Sequence, residues 1–197
     1  MMRYSFYYRL LEVLLKEIVP ATRISVAKGN KIFGAAIINK FDLSTICIGT
    51  NNEVKNPLLH GEISAINNLF DKFNSSKINT KDFIFISSHE PCSLCLSAIT
   101  WSGFNEIYFY FPYSETKNNF KIPHDLKILS EIFKIKNGKY NKKNEFWKIY
   151  SIVNEIKKFK KEEKKLLNLK IKKIDKLYTD LSKKYQKNKK KNNIPFY

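Results

Sequence analysis

Phe83-Ile84-Phe85-Ile86-Ser87 is a compact run of aromatic and β-branched residues with the length of a strand. A turn through Glu90-Pro91 then delivers Cys92-Ser93-Leu94-Cys95 to a segment that reads as helix as far as about Ser102, where Gly103 closes it. Glu106 to Phe111 is a second strand. Strand, helix and strand joined by links this short form a βαβ unit, so the two strands are expected to be parallel. Upstream, His60 is followed by Ile63, Ile66, Asn67 and Phe70 at helical spacing, which places His60 and Glu62 at another helix N-terminus. Helix N-termini present unpaired N–H groups and the positive end of the dipole, and both favour thiolates. Cys92 and Cys95, three apart on a first turn, project to one side.

One histidine and two cysteines are ligands of the kind zinc prefers, and three protein ligands leave a tetrahedral position open, as catalytic sites require. Glu62 is not needed as a ligand and is free to move protons beside the metal. A structural zinc or chance spacing is the alternative; a structural site would ordinarily have a fourth protein ligand.

Working outward, Phe6, Leu10, Leu14 and Ile18 recur every four residues, so a helix is expected from about Tyr4 to Val19 with Pro20 ending it. Ile32 to Ile38 suits a buried strand, Asn39 to Asp42 a hairpin turn, and Leu43 to Gly49 the returning strand, with Cys47 a buried apolar side chain inside it. Beyond Phe111 a helix is expected from Asp125 to about Lys136, broken by Asn137-Gly138, and the pattern reads as helical again from about Asn144. Leu167, Ile171, Ile174, Tyr178, Leu181 and Tyr185 keep a four-three stripe between lysines. Gln186 to Asn193 reads as frayed or disordered. The expected architecture is a three-layer α/β/α sandwich around a mixed five-stranded sheet. Residues 1–150 form the domain, and residues 151–197 form a lysine-rich helical extension.

Of the net charge of +18, residues 150–197 supply most, with 16 basic and 5 acidic side chains. The tail reads either as a nucleic-acid contact through phosphate charge or, favoured here, as a solvated helix whose apolar stripe packs on the domain or on a second subunit. Lysine and asparagine are abundant throughout, and no nucleic-acid-binding module is legible. Three cysteines do not make a disulfide framework, and a metal-binding pair implies a reducing compartment. Charges interrupt every apolar run well short of the roughly 18–20 residues of a membrane span, so a cytoplasmic location and no membrane partner are expected.

His60-Gly61-Glu62 with Pro91-Cys92-Ser93-Leu94-Cys95 resembles the zinc signature of the cytidine deaminase superfamily. Phe33-Gly34-Ala35-Ala36-Ile37-Ile38, Gly49-Thr50-Asn51-Asn52 and Glu90 to Ile99 look nearest the branch of free-base and tRNA adenosine deaminases, over roughly residues 5–111. Cys95 to Trp101 looks like bacterial guanine deaminases, in which a tryptophan lies against the purine. His60-Gly61-Glu62-Ile63-Ser64 is spelled like cytosine deaminases.

The resemblance implies zinc held by His60, Cys92 and Cys95, and a hydrolytic deamination in which Glu62 takes a proton from water and passes it on to the ring and the leaving amine. It also implies that Asn51 orients the base, although a turn former would read the same. Phe33 and Trp101 would stack on the substrate, with core packing as the alternative. His89 is read as a pocket or surface residue and His124 as the start of a helix beside Asp125. The expected enzyme acts on a free nucleobase or nucleoside, guanine or cytosine, and is a homodimer. One alternative is a tRNA adenosine deaminase making inosine. The other is a non-catalytic nucleic-acid-binding protein on the same fold, against which an intact Glu62 argues.

Overall fold

A computed structural model describes residues 2–74, 77–191 and 194–196. Five strands form one mixed sheet in the order β2-β1-β3-β4-β5. β1 (Gly34–Asn39) pairs antiparallel with both β2 (Thr45–Thr50) and β3 (Phe83–His89). β4 (Glu106–Phe111) runs parallel to β3, as the βαβ reading requires, and β5 (Lys148–Ser151) runs parallel to β4.

Period-two alternation sorts the strand side chains onto two faces. Ala36, Ile38, Ile84, Ile86, Tyr108 and Tyr110 meet the helices α1 (Met2–Val13), α2 (Val19–Ala27), α7 (Ile152–Lys157) and α8 (Lys161–Asn188). Ala35, Ile37, Phe85, Ile107 and Phe109 meet α3 (Gly61–Lys72) and α4 (Ser93–Trp101). The result is the three-layer sandwich expected. Among the described residues no helix is long and apolar enough to cross a membrane.

Several expectations need correction, among them the helix expected from Asp125 to about Lys136, which is α6 (His124–Glu131) and ends five residues sooner. Pro20 does not end the first helix, because a π-helical turn over Leu14–Ile18 joins α1 to α2 and places Pro20 in the first turn of α2. There the N–H of Val19 reaches back to Leu14 O, and the widened turn relieves the clash a proline ring makes with the carbonyl four residues earlier. The stretch after Asn144 is not helical at once: residues 148–151 are the edge strand β5, held by β4. Fraying does not begin at Gln186, since α8 continues to Asn188 and Gln186 donates to Phe120 O at 2.7 Å. Asn192 and Asn193 lie outside the described residues.

The four-three stripe of α8 packs inward as its spacing predicts. Leu167, Ile174, Tyr178, Leu181 and Tyr185 are buried in the same cluster as Leu10 and Ile86, with Ile171 against it. Of the two readings of the tail, packing on the domain is the one observed. Cys47 is half-buried rather than buried, with its thiol on Ala65 O.

Candidate metal centre and its cavity

α3 and α4 point their N-termini at one spot at the end of the sheet. His60 and Cys92 are the residues immediately before these helices, both in extended conformation (φ −69°, ψ 164° and φ −65°, ψ 172°). Cys95 follows one turn into α4. Close backbone approach sets the position of α3: a Cβ on Gly61 would fall 2.8 Å from Gly34 Cα, so the glycine at this position lets the helix meet β1.

The donor atoms converge. His60 Nδ1 is 3.4 Å from Cys92 Sγ and 3.6 Å from Cys95 Sγ, and the two sulfurs are 3.6 Å apart. A tetrahedral zinc at normal bond lengths needs about 3.6 Å between nitrogen and sulfur and about 3.8 Å between sulfurs, so the donor set fits that ion. Among the described residues the ligand group contains these three side chains and no fourth. Cys92 is pulled well below the usual thiol range by its hydrogen bond to Cys95 and, against burial, by His60. Burial pushes the Cys95 thiol well up. Burial works against protonation of His60, but the Cys92 thiolate, Glu62 and Glu53 outweigh it and raise the imidazole to about 9.

Glu62 stands beside the cluster, 4% exposed, with Oε2 3.3 Å from Cys95 Sγ and Oε1 accepting from Ser87 Oγ at 2.8 Å. Burial, then the Cys92 charge, raises its carboxyl above the ordinary range.

The other side of His60 was not legible in sequence. Nε2 faces Glu53 Oε1 at 4.0 Å, and Glu53 also accepts from Lys31 Nζ at 2.6 Å, the Lys31 amide at 3.2 Å and Asn51 Nδ2 at 2.9 Å. A carboxylate behind a ligating imidazole fixes its tautomer and orientation. Asn51 is used twice inside the protein, since its Oδ1 also accepts from the Gly61 amide at 2.7 Å.

A small cavity beside the cluster is lined by Phe33, His60, Glu62, His89, Glu90, Cys92 and Asp125. Phe33 lines this cavity and also packs in the core, edge-on to His89. Trp101 does not line it: it sits at the far end of α4, 92% exposed. Only its helix was readable from the sequence; its face was not. Asp125, expected only to begin a helix, is the second residue of α6 (His124–Glu131) and lines the cavity, its carboxyl pushed well up by burial and by Cys92. Glu90 anchors the segment that carries Asp125, accepting from Tyr140 Oη at 2.9 Å, Lys142 Nζ at 2.7 Å and the Tyr113 amide at 3.2 Å. α8 reaches this end of the sheet too, where Tyr178 packs edge-to-face with His89 and Phe111, and Ser182 donates to Phe120 O.

The cytidine and deoxycytidylate deaminase zinc-binding region matches residues 9–111, which span every residue of the ligand set and Glu62. The chain belongs to this deaminase family. A tRNA-specific adenosine deaminase of Rickettsia typhi is 29% identical over 97 residues, 48% of this chain and 64% of that protein, so the match spans less than two thirds of the relative. Among solved structures, guanine deaminase from Bacillus subtilis superposes with a TM-score of 0.52 at 24% identity, covering 68% of this chain and 85% of that one. Guanine deaminase from Nitrosomonas europaea superposes at 0.57 with 15% identity, covering 88% and 83%. At these identities the superpositions establish the cytidine deaminase-like fold. With this family's zinc region matched and the donor set in place, zinc is the metal that His60, Cys92 and Cys95 are positioned to bind.

Proposed function

We propose that the chain is a hydrolytic deaminase of a free nucleobase or nucleoside, of guanine or cytosine type, releasing ammonia. The observation that supports this most is a buried carboxyl, Glu62, lining the same cavity as His60 and Cys92 of the ligand set. Zinc bound there would supply the Lewis acidity that makes water a nucleophile near neutral pH. Glu62 would take one proton from the attacking water to the ring nitrogen beside the amine-bearing carbon, and then carry the proton of the newly added hydroxyl to the leaving amine. A carbon–oxygen bond forms, the carbon–nitrogen bond breaks, and ammonia carries the amine away. Ser87 holds one Glu62 oxygen, which leaves the other to face the reaction. The raised Glu62 pKa suits a group that must hold a proton part-way through. Asp125, on the same wall, offers an acceptor to the base's N–H groups. Phe33 closes the cavity as a flat apolar wall. Beside its two internal hydrogen bonds Asn51 keeps one N–H and one Oδ1 lone pair with which it would orient the base. Zinc-loaded protein is expected to release ammonia from guanine or cytosine; no release from these, cytidine or adenosine overturns the reading.

The second reading is deamination of adenosine in tRNA, favoured by the names of the curated relatives. Inosine appearing in supplied tRNA, with no turnover of free bases, would establish it.

A further inference from the structure

Three buried side-chain atoms have no hydrogen-bond partner among the described residues: Thr22 Oγ1, Tyr178 Oη and His89 Nε2. The first two are not alone, because Ser88 and Thr22 lie close enough to the Tyr178 hydroxyl to act on it. His89 Nε2 has no such neighbour. Leaving a buried polar atom unpaired is costly, so a position that keeps one invites a ligand.

His89 is 2% exposed and boxed by Phe33, Phe111, Phe120 and Tyr178, with ring centroids 4.6 to 5.3 Å away. It also lines the cavity that holds the metal ligands, Glu62 and Asp125. Burial pushes its imidazole down to about 3, so the ring is neutral and carries one proton. Ser88 decides where that proton sits. Its Oγ lies 2.9 Å from Nδ1 and accepts from the Gly34 amide at 3.0 Å. With the Gly34 amide on one Ser88 lone pair, a hydroxyl proton given to Nδ1 leaves the ring proton on Nε2.

We propose that His89 Nε2–H donates a hydrogen bond to a ring carbonyl oxygen of the bound base, and thereby selects carbonyl-bearing bases over adenine. Guanine carries such an oxygen at C6 and cytosine at C2; adenine carries none. The inference rests on the proposed base deamination and names what reads the base. A site whose buried donor is left unpaired by the wrong ligand discriminates strongly against it.

The test uses zinc-loaded full-length Glu62→Gln protein, which holds a base without consuming it, and calorimetric affinities for two matched pairs: guanine against 2-aminopurine, and cytosine against 4-aminopyrimidine. With His89 present, the carbonyl-bearing member of the pair that binds is expected to be at least about 10-fold tighter. His89→Leu is expected to weaken that member about 10- to 100-fold, to leave the other within about threefold, and to melt no lower than its parent. His89→Gln, which keeps an N–H, recovers most of the loss. Equal affinities within each pair, or equal weakening of both members, overturns the assignment even if His89→Leu does not fold. Wild-type turnover of guanine or cytosine with affinities indifferent to His89 overturns this inference and leaves the proposed function standing. Binding of none of the four overturns both.

Discussion

The two sides of His60 carry a buried glutamate each, and the protein treats them in opposite ways. On the Nδ1 side, Glu62 has a hydroxyl on one oxygen and a thiol near the other, and among the described residues no lysine or arginine forms an ion pair with it. On the Nε2 side, Glu53 is closed in by a lysine, two N–H donors and the imidazole. Burial raises the Glu62 carboxyl, whereas Glu53 is surrounded by donors. The carboxyl beside the ligand cluster has no lysine partner, and the one behind the imidazole has.

The largest effect that would break this comparison comes from Glu62. Glu62→Gln is expected to lower kcat about 10²- to 10⁴-fold while one zinc per chain is retained, read by steady-state rates and metal analysis. Loss of zinc along with activity would move Glu62 into the structural class with Glu53. Next is Glu53→Gln, which strands the Lys31 ammonium with side-chain exposures of 7% and 2% across the pair. Removing one partner of such a pair costs about 3–5 kcal/mol, seen as an earlier urea midpoint. The metal should also be held about 10- to 100-fold more weakly. The double variant Lys31→Met/Glu53→Gln should regain most of the stability and little of the metal affinity.

Acidity provides a finer test of the Nδ1 side. Without metal, His60 is protonated below about 9 and Cys95 remains a thiol, while Cys92 is already a thiolate. Zinc displaces two protons, so its apparent affinity should rise with pH, by about 100-fold per unit between pH 6 and 8. Competition against a chelator would measure this, and a slope near one proton would place His60 neutral. The smallest effect belongs to Trp101→Ala: an exposed side chain outside the cavity should change stability by less than about 0.5 kcal/mol. The same change should alter kcat/KM less than about threefold; a larger fall would give Trp101 a role its own chain does not show.

Much of the site could be read from residue spacing. His60 with Glu62, and Cys92 with Cys95, are each set by a single helical turn, so two short motifs specified four side chains before any tertiary contact was known. The βαβ unit and the stripe of α8 were legible for the same reason, because period and link length act locally. The Glu53 to Lys31 pair, 22 residues apart, left no such trace. Nor did Asp125, delivered by a segment that Glu90 holds through Tyr140 and Lys142.

By itself, then, the sequence determined the sandwich, the ligand triad and the carboxyl beside it, since each is written in neighbours a few residues apart. Tertiary structure alone decided that Pro20 would sit inside a helix, that residues 148–151 would join the sheet, that Trp101 would face outward and that His89 would be sealed among aromatic rings. Those outcomes depend on what another part of the chain brings to the same place, and a run of adjacent residues carries no record of that.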